Sequence, residues 1–389
     1  MADNKDKKVL NVPALRFPEF TGEWERHKLS EVCSFYSGGT PSSSKKEYYN
    51  GNIPFIRSGE LHKDYTELFI TEAGLSNSAA KLVETGDLLL ALYGATSGDI
   101  AISKIKGAIN QAILCIRTKQ NKKFIESVWN KHVERLLQTY LQGGQGNLSA
   151  DIVKNIPFYF ANSNEQDKLA KFISLLDERI ATQNKIIEKL ETLIKAIGNK
   201  CLFGHGRNVR LGDILIERTE KSTINDQYEI LSSTIKGIFS QRDYFSKDIA
   251  SENNIGYKVL HKGDIVLSPQ NLWMGNINYN DKFNFGIVSP SYKIFAISEE
   301  FDCHYVAFLL KTHRLLYSYR SISEQGASIV RRNLNMDAFL ELTFKIPPFV
   351  AQRRIGQALS KLNDKIEMER DCLNMLKAQK QYLLSNLFI

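Results

Sequence analysis

Two clusters of polar and basic side chains, each set among small residues, have the composition of a surface that reads a polyanion. In the first half of the chain Thr40, Ser42, Lys45, Lys46 and Tyr48 follow a Gly38-Gly39 pair, and Arg57 closes a strand-like run. Thr96-Ser97 and Asn110-Gln111 fall in short loops, and Gln145 and Asn147 belong to a glycine-rich loop at 142–147. The second half offers Lys236, Gln241, Arg242, Gln270, Asn271, Trp273, Ser328, Arg331, Arg332 and Asn333. Lys and Arg neutralise phosphates and contribute affinity. Arg suits bidentate pairing with guanine, and Gln or Asn suits adenine. Each residue type also has a plainer use. Gln and Asn cap loops, Lys solvates a surface, and Trp273 can pack in a core.

Covalent chemistry finds no comparable support. There is no GxxxxGK[ST] phosphate loop, HExxH or GxSxG, so no catalytic residue is assigned. Ile346-Pro347-Pro348-Phe349 superficially matches the Asn-Pro-Pro-aromatic motif of adenine methyltransferases. The asparagine that would hold a flipped amine is Ile346 here, so a turn before a helix is the better reading. The seven histidines lack metal-ligand spacing, and the five cysteines lack CxxC spacing. No metal site is expected, and the cysteine usage fits a reducing, cytoplasmic setting. No apolar run reaches membrane-span length, and the N-terminal MADNKDKK has no signal-peptide core. A formal charge of +8 favours a polyanionic partner over a membrane.

The elements that must position these residues are announced by a heptad repeat that occurs twice. Leu169, Ile173, Leu176, Ile180, Gln183, Ile187, Leu190, Ile194 and Ile197 form one seam at spacings of four and three. At a shift of 186 residues the second seam reads Ile355, Leu359, Leu362, Ile366, Glu369, Leu373, Leu376, Lys380, Leu383 and Leu387. A sustained seven-residue repeat predicts a long helix with one apolar stripe that requires a partner helix. Antiparallel pairing of the two copies would bring the polar breaks Gln183 and Glu369 together, whereas Lys380 would snorkel. Phe172, Ile186, Leu193, Met368, Met375 and Tyr382 are apolar but off the seam, available to a partner or to the globular segments.

The globular segments repeat as well. Gly86-Asp87-Leu88 is echoed by Gly263-Asp264-Ile265. A helix at 124–141 and another at 303–319 each precede a glycine-containing loop, and Ile156-Pro157 and Ile346-Pro347 lead into the long helices. Gln166 with Gln352 is among the few identities at the fixed offset. The chain therefore divides into a tail at 1–20, a globular segment at 21–160, a helix at 161–203, a second globular segment at 204–348 and a second helix at 349–389. The fold class is α+β: two mixed α/β globular domains, two long antiparallel coiled-coil helices, and a pseudo-two-fold internal repeat. A coiled-coil scaffold with two protein-binding heads shares every helical feature of this reading.

This order resembles the specificity subunit of type I restriction–modification systems. So do Gly38-Gly39-Thr40-Pro41-Ser42 with Tyr49-Asn50-Gly51-Asn52-Ile53-Pro54-Phe55, which look like the opening of that family's target recognition domain, and Ile156-Pro157 followed by Glu165-Gln166. The resemblance covers nearly all of the chain from about residue 20. One departure is Ala351, where the family usually has Glu before Gln. The resemblance implies a non-catalytic subunit that binds double-stranded DNA. Its partners would be two modification (methyltransferase) subunits that methylate adenine N6, and restriction (motor-nuclease) subunits. S-adenosylmethionine, ATP and Mg would reside in those partners, with no cofactor in this chain.

Overall fold

The computed structural model describes residues 10–140, 147–203, 206–244, 253–325 and 332–389. The chain forms two compact units, one comprising Met1–Gln183 with Cys372–Ile389 and the other Asn184–Asp371. Each long helix therefore contributes one half to each unit.

In the first unit an antiparallel sheet runs in the order Cys33–Ser37, Ile113–Thr118, Leu88–Ala91, Ile100–Ile102. Every residue of Leu88–Ala91 is buried, so both faces are covered and the period-two alternation only decides which core a side chain joins. Leu88 and Leu90 enter the main core with Trp24, Phe124 and Trp129. Leu89 and Ala91 face a smaller core with Ile56, Ile109 and Cys115. A second sheet orders Phe69–Ile70, Tyr49–Ile56, Gly107–Ile109 and Lys81–Val83, its second and third strands parallel.

The second unit repeats the first sheet as Leu215–Arg218, Lys293–Ile297, Ile265–Leu267, Ile277–Tyr279. Ile265 and Leu267 enter its main core, and Val266 faces the lesser one. The apolar helix expected at 303–319 is two helices, Cys303–Leu310 and His313–Ser321. Thr312 interrupts it, because its hydroxyl accepts the Leu315 amide and starts a new helix.

The long helices are Ser163–Cys201 and Phe349–Leu387, 39 residues each, or roughly 58 Å at 1.5 Å per residue. Every seam position is buried or half-buried. The off-seam residues Phe172, Ile186, Leu193, Met368, Met375 and Tyr382 are exposed. Within the first unit the halves run antiparallel. The tail bonds Asn386 through Leu15 and Glu165 through Arg16, while Asp177 meets Lys380 at 2.5 Å further along. Lys380 thus has an ion partner at the seam where snorkelling was expected. In the second unit Glu191 pairs with Arg370 at 2.7 Å. Gln183 is buried, and Glu369 bonds Lys365 along its own helix.

One repeated residue locks each helix start to its own globular part. The Gln166 amide donates to the Ala161 carbonyl and accepts the Asn121 amide. Gln352 likewise donates to Pro347 and accepts the Asp302 amide. The starts differ in their caps. Asn162 accepts the Glu165 amide at the first. The equivalent residue at the second is Pro348, whose carbonyl alone receives Ala351 and Gln352. Glu165 is buried against Arg16 of the tail at 2.7 Å, a pair that Ala351 cannot form.

Candidate nucleic-acid interface

In the first unit the loop after Cys33–Ser37 passes so close to the Gly107–Ile109 strand that a Cβ on Gly38 would lie 1.7 Å from the Ile109 carbonyl oxygen. Glycine is required there for that approach. The approach delivers Thr40 to Gln111, and its hydroxyl donates to the Gln111 carboxamide oxygen at 2.6 Å. At the far end of the loop Lys45 donates to the Tyr48 hydroxyl at 2.9 Å and sits 5.0 Å from the ring centre. Tyr48 itself is buried, whereas Ser42, Lys45 and Lys46 are exposed.

Leu92 gathers three more of the expected residues. Its amide donates to Ala112, and its carbonyl accepts from the Ser97 hydroxyl and the Leu148 amide. Thr96-Ser97, Gln111 and Asn147 consequently converge on one end of the sheet. Asn110 spends its carboxamide on the Ala112 amide. Arg57 stands apart, tied to Glu60 at 2.6 Å and Glu67 at 3.2 Å. Burial alone would raise the Glu60 carboxyl, but hydrogen bonds from the Arg57 side chain and amide and from Thr66 outweigh it and hold the group at about 2. Gln145 lies outside the described residues.

The second unit builds the corresponding end around the loop after Ile265–Leu267. Ser268 and Asn276 close the loop, and the turn Leu272–Met274 ends on Gly275 at φ 94°. Leu272 enters the core, which leaves Trp273 half-buried with the Arg332 guanidinium 5.1 Å from its ring centre. The Arg332 amide donates to the Gln270 carbonyl, so Gln270, Asn271, Trp273, Arg332 and Asn333 share one surface. Gln270 and Asn333 are exposed. The Arg332 side chain reaches the Arg320 and Ser323 carbonyls at 3.4 Å, and its Nε finds no acceptor among the described residues. Lys236 is exposed at the hairpin joining Leu231–Thr234 to Gly237–Ser240. Arg242 is exposed in the short helix Gln241–Tyr244, where Gln241 reaches the Ser232 hydroxyl. Ser328 and Arg331 lie outside the described residues.

Sequence reasoning missed the buried carboxylate that braces the opposite end of each central strand. Asp87 accepts the Glu84 amide and pairs with Arg117 and Lys122, and Asp264 accepts the His261 amide and pairs with Arg218. Both follow a glycine at positive φ, Gly86 and Gly263, so the repeated Gly-Asp was the available signal. The Trp273–Arg332 stack had none, since 59 residues separate its members. Among the described residues no group of three or more His, Cys, Asp or Glu could hold a metal, and no helix is long and apolar enough to cross a membrane.

Comparison with known proteins agrees with this duplicated geometry. The family model for the type I restriction modification DNA specificity domain matches twice, at residues 21–192 and 207–378. The MjaVIII type I restriction enzyme specificity subunit of Methanocaldococcus jannaschii is 20% identical over 429 residues, covering 98% of this chain and 95% of that protein. The EcoR124I/EcoR124II specificity subunit of Escherichia coli is 27% identical over 187 residues, 45% of each chain. The solved type I restriction–modification S subunit from M. genitalium shares the fold, with a TM-score of 0.61 at 16% identity over 97% of this chain and 99% of that one. With two copies of the family's domain filling most of its length, this chain belongs to the type I restriction–modification DNA specificity family, as a non-catalytic specificity subunit with two target recognition domains.

Proposed function

We propose that each globular domain, 21–160 and 204–348, reads one half of a bipartite duplex site through the major groove, and that the helices at 161–203 and 349–389 set the unread spacer. The observation that carries this reading is that both units turn the same sheet end into a polar loop cluster but furnish it with different side chains, Thr40 and Gln111 in one and Gln270, Trp273 and Arg332 in the other. A shared scaffold with unlike loops suits two unlike half-sites. Heads that face one side of the duplex engage grooves about one turn, roughly 34 Å, apart. Helices of 39 residues are long enough to span that distance.

Lys45, Lys46, Lys236, Arg242, Arg331 and Arg332 are assigned to phosphates. Thr40, Ser42, Tyr48, Arg57, Thr96, Ser97, Asn110, Gln111, Gln145 and Asn147 are assigned to the first half-site, and Gln270, Asn271, Trp273, Ser328 and Asn333 to the second. The off-seam apolar residues and the junctions between heads and helices receive two modification subunits and the restriction subunits. Those partners carry S-adenosylmethionine, ATP and Mg, and the complex works in the cytoplasm. The test is to map methylated adenines in cells that carry the chain with its modification partner. Two fixed half-sites with a constant gap are expected. Deleting one heptad from each helix should shorten the gap and keep the half-sites, and an unchanged gap would refute the ruler.

A further inference from the structure

We propose that Ile235 is a wedge that enters a base step in the half-site read by the second unit and unstacks it. The proposal rests on the DNA-reading function above and adds a deformation to it. Ile235 and Lys236 form the tip of the hairpin joining Leu231–Thr234 to Gly237–Ser240. Turn tips favour Gly, Asn, Asp, Ser and Pro, and a β-branched apolar residue is an unfavourable choice there. Ile235 is nonetheless 54% exposed, so no core accounts for it. A lone exposed isoleucine is ordinary on a protein surface. The mounting of this one is not.

Directly behind the tip, Ser233, Asn276 and Asn278 are all buried and hydrogen-bonded to one another. The Ser233 hydroxyl donates to Asn276, and the Asn276 amide returns to the Ser233 carbonyl. Asn278 donates to the Ser233 hydroxyl and to the Thr234 carbonyl, while Lys311 donates to Asn278 at 2.6 Å. The Tyr292 hydroxyl adds a bond to the Ser233 carbonyl. A fully bonded buried network rigidifies what it holds. This one fixes an apolar tip, flanked by exposed Lys236, to the strand that leaves the Gln270–Trp273 loop. Proteins that part and kink base steps do so with apolar side chains entering the minor groove among Lys and Arg, so the tip is assigned to the minor groove flanking the major groove that the Gln270–Trp273 loop reads.

Among the described residues the first unit has no counterpart at the position the repeat gives. At the 177-residue offset relating Gly86 to Gly263, Ile235 falls on Ser58, in a polar turn closed by the Arg57–Glu60 ion pair. The unstacking should therefore be confined to one half-site.

The experiment uses the chain assembled with its modification subunits and a duplex containing the mapped site. 2-Aminopurine is placed at successive positions, excluding the methylated adenine and its pairing base. A several-fold fluorescence rise is expected at one step of the second half-site and none in the first. It should fall to background in Ile235→Gly and be retained in Ile235→Leu. A rise that persists in Ile235→Gly, or no bright step in a complex that binds its site over a scrambled duplex, overturns the wedge and leaves the reading function intact. Failure of the wild-type complex to prefer its site overturns both.

Discussion

Glu60 carries a buried charge whose worth depends on pH in a definite sense. Its carboxyl is held at about 2, below the ordinary value of 4.5. The stabilisation it gives is therefore complete above the ordinary value and disappears as pH falls through about 2. Glu60→Gln should destabilise the strands around 49–70 by about 1–3 kcal/mol at neutral pH. Local hydrogen exchange would read that difference, and the gap between variant and wild type should close on acidification. Arg332 makes the second prediction at this scale. If its guanidinium on Trp273 meets a phosphate, Arg332→Gln should weaken duplex binding and lower the salt slope by about 1. Trp273→Ala should reproduce much of the defect, because the ring is the shelf on which the guanidinium rests. An unchanged slope in affinity measurements at several salt concentrations would remove Arg332 from the phosphate contacts.

At the scale of elements, the repeated glutamines connect each long helix to the loop before a second helix. Gln166→Ala and Gln352→Ala each leave a half-buried amide and a buried carbonyl without that partner. Each should cost about 1–3 kcal/mol, read as lost amide protection at 121–125 or 302–306 respectively. The heptad seam was legible because a long periodic pattern averages over many residues and survives a few exceptions. The break at Thr312 was not, because one side-chain cap overrides an apolar period that otherwise continues. The heptad pattern leaves Lys380 to snorkel from the seam, and only the packing of the two helix halves in the first unit reveals Asp177 opposite it.

For the whole molecule, the first unit is assembled from both ends of the sequence. Phe388 is buried between Trp24 and Phe124, with ring centres 6.4 and 5.5 Å away, and Leu384 and Leu387 join the same core. Phe388→Ala should cost about 3–5 kcal/mol. The loss should appear as faster hydrogen exchange in the first unit, with the sheet of the second unit unchanged. Equal loss in both units would contradict the partition.

From the residues alone the duplication, the two long helices, the α+β class and the absence of a catalytic motif were all legible. These are periodic, compositional or repeated properties, and each is redundant along the chain. The loops were legible as polar clusters only. Which members of a cluster meet was decided by tertiary structure: Thr40 reaches Gln111 across 71 residues, Arg332 lies on Trp273, and Arg57 is diverted to Glu60. Such pairings depend on close backbone approaches, as at Gly38, and on tertiary hydrogen bonds such as those that meet at the Leu92 carbonyl. A linear sequence carries the residue types for them but not the distances.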